Sequence, residues 1–171
     1  MVNYISVSVA EQRLRAYSRL DVNGELISAN AKLVMDVSIA TAKNGVGQQF
    51  GSECTPLGEH RVRAKIGADQ PMNTVFIGRR PTGEIHSPAL NEQHPNRDWI
   101  LSRILWLCGN ETGINRGGSV DTQRRYVYIH GAPDSHAMGV PSSHGCIKMR
   151  NNDIIALFDQ VVVGATVLIT Q

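Results

Sequence analysis

A two-residue apolar period, broken repeatedly by Gly, Pro and Asn, is the pattern this chain keeps returning to. Residues 3–9, NYISVSV, alternate apolar with small polar side chains, as a strand with one buried face does. Residues 14–17 supply a partner strand, with Glu11-Gln12 as the turn. Asn23-Gly24 is a hairpin signal, and the run after it sets Leu33, Met35, Val37 and Ile39 on one face. Further strands are expected over 60–66, 126–130 and 166–170, and 99–107, WILSRILWL, reads as a buried strand or a short helix, its β-branched and aromatic content favouring the strand. One segment carries the helical period instead: Ile154, Ile155, Leu157, Phe158, Val161 and Val162 form a stripe at i, i+3 and i+4. Asn151 or Asn152 is expected to cap that helix, Asp153 to sit in its first turn and Gly164 to stop it. Many short strands and one short helix bury their apolar faces mainly against each other, so the expected fold class is mainly β.

A length of 171 residues suits a single domain over 1–171 with a good core. Hydrophobic residues at 42% and charged residues at 19% exclude a disordered chain. A formal net charge of +2 gives no field for nucleic acid or a membrane surface. Glu11, Arg13, Arg15 and Arg19 interrupt the first twenty residues, and no run is apolar enough to span a bilayer, so a cytoplasmic location is expected. Cys54, Cys108 and Cys146 form no C-x-x-C pair; three separate thiols suit a reducing compartment, and one Cys54–Cys108 disulfide is the alternative.

Residues 41–58 and 67–98 are rich in Gly, Asn, Ser and Pro and read as irregular connections, the second either a lid or a plain surface excursion. Residues 109–122 form a polar turn whose Arg116-Gly117-Gly118 tip suits an anion or simply solvent. His60, His86, His94 and His136 read as strand, surface or loop residues.

Chemistry concentrates between 129 and 149, IHGAPDSHAMGVPSSHGCIKM. A thiol attacks a carbonyl as thiolate, and needs a base or cation nearby and backbone donors for the developing oxyanion. Gly145 lets the N–H groups around Cys146 converge on one point. His130, at the end of the run 126–130, is the expected base, and the thirteen-residue loop 131–143 is long enough to return the chain beside it. On this reading the Cys146 sulfur sits ionised within reach of the His130 imidazole. Ser143, His144 and Lys148 flank the sulfur and are expected to hold the loop or to touch substrate. A rival reading makes His130, His136, His144 and Cys146 a zinc site, although their spacing matches no common zinc pattern.

Ile129-His130-Gly131 followed by Ser143-His144-Gly145-Cys146-Ile147 resembles the signature of the L,D-transpeptidase catalytic domain family, the YkuD-like enzymes of peptidoglycan. Thr55-Pro56-Leu57-Gly58 resembles that family's Thr-Pro-x-Gly turn, and Asn151-Asn152-Asp153 resembles the polar opening of its last helix. The resemblance covers nearly the whole chain. It implies a β-sandwich with a short helix after the catalytic Cys loop, no cofactor and no metal. It also implies that Cys146 opens the amide between the L-centre of the third stem-peptide residue and the following D-alanine, with the Gly131 carbonyl orienting His130. Lys148 stands where the family usually carries Arg, and a point charge does not replace a planar fork.

The acceptor of the thioester decides the activity. A cytoplasmic enzyme meets peptidoglycan stem peptides only as soluble muropeptides, so the expected function is an L,D-carboxypeptidase that trims tetrapeptide to tripeptide during recycling. An L,D-transpeptidase is the alternative, and a silent domain that only binds cell-wall peptides is a third. Oligomeric state is not legible.

Overall fold

The computed structural model describes residues 1–18 and 31–171, so the Asn23-Gly24 hairpin signal lies outside the described residues. The strands are β1 (Val2–Ser8), β2 (Arg13–Ser18), β3 (Lys32–Ser38), β4 (Gly58–Ile66), β5 (Thr74–Ile77), β6 (Arg80–Ile85), β7 (Ile100–Gly109), β8 (Tyr128–Gly131), β9 (Ile147–Met149) and β10 (Val161–Thr170). Among the described residues the α-helices α1 (Pro88–Gln93) and α2 (Asn151–Gln160) accompany them. The molecule is mainly β, as the alternation predicts.

The sheet runs β3-β2-β1-β10-β4-β7, and β7 continues it in two directions. One edge of β7 pairs with β4 and then, through Leu101 and Ile100, with β5; the other edge pairs with β8, which carries β9 in parallel. A bulge makes this branching possible. Ser102 has φ +67, and the pairing with β8 slips between Leu101 and Ile104. Beyond β3 the chain reaches β9: Ala40 and Lys148 exchange backbone bonds at 3.0 and 2.9 Å. The two ends of the sheet therefore meet, and the enclosed space is filled by Ile5, Leu14, Val62, Leu105, Ile129, Ile147, Val167 and the α2 residues Ile154 and Leu157.

Helix α2 is shorter than its stripe suggests. Val161 and Val162 open β10, and the turn to the strand leaves Gly164, at φ +89, inside β10, where it does not stop the helix. Asn151 does not cap α2 either, since the N-cap is Arg150 without a side-chain bond. The Asn151 amide instead donates to Ala132 O at 2.9 Å and accepts from Ser102 Oγ at 2.6 Å, tying the helix start to β7 and to the end of β8. The region read as irregular, 67–98, contains the β5–β6 hairpin and α1, the latter capped by Ser87 Oγ.

His60 is fully buried in β4, bonded to Gly58 O at 3.0 Å and Thr122 Oγ1 at 3.1 Å. Burial holds its imidazole down at about 4, so the fold takes it neutral while an unfolded chain protonates it near 6.5. The unfolded state then binds more protons, and this group's contribution is complete above pH 6.5 and lost as pH falls toward 4. We expect urea titrations to show stability falling by up to about 3 kcal/mol over that window, and His60→Gln to flatten the slope.

Candidate active site

β8 and β9 place the chemistry by strand parity. Val127, Ile129, Ile147 and Met149 point into the core. Their neighbours Tyr128, His130, Cys146 and Lys148 point the opposite way and line one cavity of about 670 Å³. His130 is opposite Lys148 in the register, and Cys146 lies one step before β9, so the sulfur and the imidazole are diagonal neighbours on one face. The loop between them returns the chain as its length predicts.

The imidazole has one defined tautomer. His130 Nδ1 lies 2.7 Å from Gly131 O, and a carbonyl only accepts, so Nδ1 carries the hydrogen and Nε2 keeps its lone pair. Burial lowers the His130 pKa, opposed by the Gly131 carbonyl and Asp98, and the neighbouring Lys148 and His136 lower it further. The ring is therefore a neutral base. Gly131 has to be glycine here, because a β-carbon would lie 2.6 Å from Leu101 O and closer still to Asn151 Oδ1.

The sulfur departs from the expectation of an ionised pair. Burial, with the Asp98 charge adding to it, pushes the Cys146 thiol up to about 12 against the opposing Tyr128 N–H, Lys148 and Arg125. The bonding agrees with a protonated thiol: Tyr128 N–H donates to Sγ at 3.3 Å, and Sγ lies 3.6 Å from Tyr126 O as donor. His130 is buried, Cys146 is half-buried in the cavity wall, and this loss of water favours the neutral form of each.

A framework of buried hydrogen bonds holds the turn that carries Cys146. Ser143 Oγ donates to Cys146 O and accepts from Gly145 N–H at 3.2 Å, so the Gly145 donor expected for the oxyanion is engaged by Ser143 in this state. Gly145 has φ +128, which suits glycine. Its carbonyl accepts from Thr55 Oγ1 at 3.0 Å, and the same hydroxyl accepts from Ala42 N–H at 3.0 Å. This is the role of the Thr-Pro turn. Thr55→Val would leave a buried donor and a buried acceptor without their partner. A free energy of unfolding lowered by about 1–3 kcal/mol is expected, together with slower turnover as the turn loosens.

The cations divide by what they already hold. Arg125 donates to Gly47 O, Gln48 O, Ser52 Oγ and Cys54 O, clamping the loop of 47–54 against the site. Lys148 is buried, donates to Ser142 O at 3.3 Å and sits 3.4 Å from His136 Nδ1. Arg150 donates to Asp134 O, and the exposed Arg116 and Arg124 are not among the cavity residues. His144 stands at the rim, its side chain 62% exposed and 3.9 Å from the Asp98 carboxylate. Asp98 and Arg79 line the cavity without any sequence signal. His136 faces an ammonium group, and among the described residues no three His, Cys, Asp or Glu side chains are placed to hold a metal ion. All three cysteines are free thiols.

The model of the YkuD family, described as the L,D-transpeptidase catalytic domain, matches residues 2–169. A probable L,D-transpeptidase, YbiS of Escherichia coli, is 44% identical over 107 residues, covering 60% of this chain and 34% of its own length. A putative L,D-transpeptidase of Bacillus subtilis, YqjB, is 41% identical over 50 residues, 29% of this chain and 28% of its own. This chain thus spans about a third or less of the curated relatives it matches. Among solved structures, Bd1075 of Bdellovibrio bacteriovorus has a TM-score of 0.56 at 14% identity, over 98% of this chain and 47% of that one. A mutant of the Enterococcus faecium L,D-transpeptidase has a TM-score of 0.55 at 16% identity, over 99% and 50%. These likenesses fix the fold.

Proposed function

We propose that this chain, which belongs to the L,D-transpeptidase catalytic domain family, acts as a cysteine L,D-carboxypeptidase on peptidoglycan tetrapeptides. The observation that carries the reading is the Nδ1–H bond from His130 to the Gly131 carbonyl, which leaves a lone pair on Nε2 in the cavity that holds the Cys146 thiol.

Cys146 Sγ forms a bond to the carbonyl carbon of the third stem residue while its proton passes to His130 Nε2. Tyr128 N–H, already on the sulfur, and the Cys146 N–H receive the developing negative charge, joined by the Gly145 N–H once it leaves Ser143 Oγ. As the C–N bond breaks, His130 returns the proton to the departing amine, leaving D-alanine and a thioester. Water, deprotonated by the same imidazole, then opens the thioester and regenerates the thiol.

Hydrolysis comes first in our reading because water needs only space beside the thioester and the base that began the cycle. An amine acceptor needs a second peptide held against the same cavity. The second reading is transpeptidation, favoured by the names of the relatives. Weighing the products of disaccharide tetrapeptide decides between them: tripeptide and free D-alanine support hydrolysis, and a crosslinked dimer as main product rejects it. We also assign the enzyme to the cytoplasm, a compartment that suits its three unpaired thiols, and cell fractionation tests this.

A further inference from the structure

We propose that Arg79 is the specificity residue for the free carboxylate at the C-terminus of the substrate, an assignment that deepens, and rests on, the carboxypeptidase reading above. Arg79 sits at the tip of the β5–β6 hairpin, between Ile77 and Arg80, with Gly78 at φ +54 and itself at φ +64. A two-residue turn with both φ values positive favours Asn or Gly, so arginine here is a backbone misfit. Its side chain is nonetheless well ordered by contacts. The guanidinium carbon lies 4.7 Å from the Trp106 ring centroid and 4.8 Å from that of Tyr126, and Nη1 donates to Tyr128 Oη at 3.1 Å. Two aromatic faces and a phenol hold the planar fork half-buried in the wall of the cavity that contains Cys146.

The other cavity cations are not equivalent. Arg125 is committed to four loop acceptors, and Lys148 to Ser142 O and His136. Among the described residues no carboxylate pairs with Arg79, and most of its five donors remain for a ligand. Asp98 acts on Cys146, His130 and Lys148 but not on Arg79, so this carboxylate does not compete with a ligand for the guanidinium. One residue, Tyr128, touches both groups, its N–H on the sulfur and its phenol on the guanidinium. A bidentate arginine–carboxylate pair at this wall would fix the register of the scissile amide over Sγ.

The test is a binding measurement without chemistry. Calorimetric titration of the Cys146→Ala protein with an N-acetylated tetrapeptide acid and with its C-terminal amide should show the acid bound about 10- to 100-fold tighter. Adding Arg79→Gln or Arg79→Gly should bring the acid to the affinity of the amide and leave the amide unchanged, while Arg79→Lys recovers part of the preference. Gly suits the left-handed backbone at this position, so that variant separates loss of the guanidinium from loss of the hairpin. Equal binding of acid and amide, a preference that survives Arg79→Gly, or equal losses on both peptides would each overturn the assignment. Because turnover is not read, a chain that discriminates the acid but never releases D-alanine upholds Arg79 and rejects the carboxypeptidase.

Discussion

Cys146→Ser should release D-alanine from tetrapeptide at least about 10⁴-fold more slowly than the parent chain, with its unfolding midpoint little changed. The two side chains are nearly isosteric, so packing is kept. The hydroxyl is a far weaker acid than the thiol, and burial that already raises the thiol to about 12 leaves serine no accessible anion. His130 would have to remove a much less acidic proton from the same place. A discontinuous assay of free D-alanine gives the rate, and a serine enzyme within about tenfold of the parent would remove the sulfur from the mechanism.

His130→Gln is the second large effect, and its signature is the pH profile. On the proposed mechanism the imidazole is a neutral base, and because its pKa is lowered the acid limb of kcat/KM should lie below pH 6.5 with a plateau above it. The thiol does not end that plateau near 8 or 9, because it ionises only at about 12. Without the imidazole, attack depends on prior ionisation of the thiol. At pH 7 the rate should fall by about 10²- to 10⁴-fold, and what remains should climb about tenfold per pH unit up to the alkaline limit of folding. A parent profile that rises through pH 8–9 with a thiol-like inflection would instead point to the preformed ion pair that the sequence suggests.

That difference marks where sequence reading stops. The positions of Cys146 and His130 are legible because glycines punctuate the chain beside each, at Gly145 with φ +128 and at Gly131 against Leu101 O, where a β-carbon does not fit. Their protonation is not legible, since it depends on how much water the walls of the cavity exclude, and those walls include Phe50, Gly51, Glu53, Gly78, Arg79 and Asp98. Arg79 and Asp98 carry no motif, and only the packing of the β5–β6 hairpin beside Trp106 and Tyr126 brings the arginine to the site. The Thr55 hydroxyl is legible as part of a turn but not as the support of Gly145, a partner 90 residues away.

The fold divides in a similar way. β1, β2 and β4 are long enough for apolar alternation to declare them, whereas β7 is a nearly continuous apolar run whose strand character rests on its β-branched and aromatic content. β9 has three residues and hides inside the catalytic motif, visible only once paired with β8. Val161 and Val162 continue the helical stripe of α2 in sequence, yet they enter β10, whose start runs beside Val2. Local periodicity does not see that partner.

Rapid mixing of the protein with tetrapeptide, acid quench and intact-mass measurement test the central claim most directly. A transient gain equal to the tetrapeptide less D-alanine, located by digestion on Cys146 and removed by hydroxylamine, is the predicted result. D-alanine released with Cys146 unmodified throughout, or an adduct carried on Cys54 instead, would contradict it.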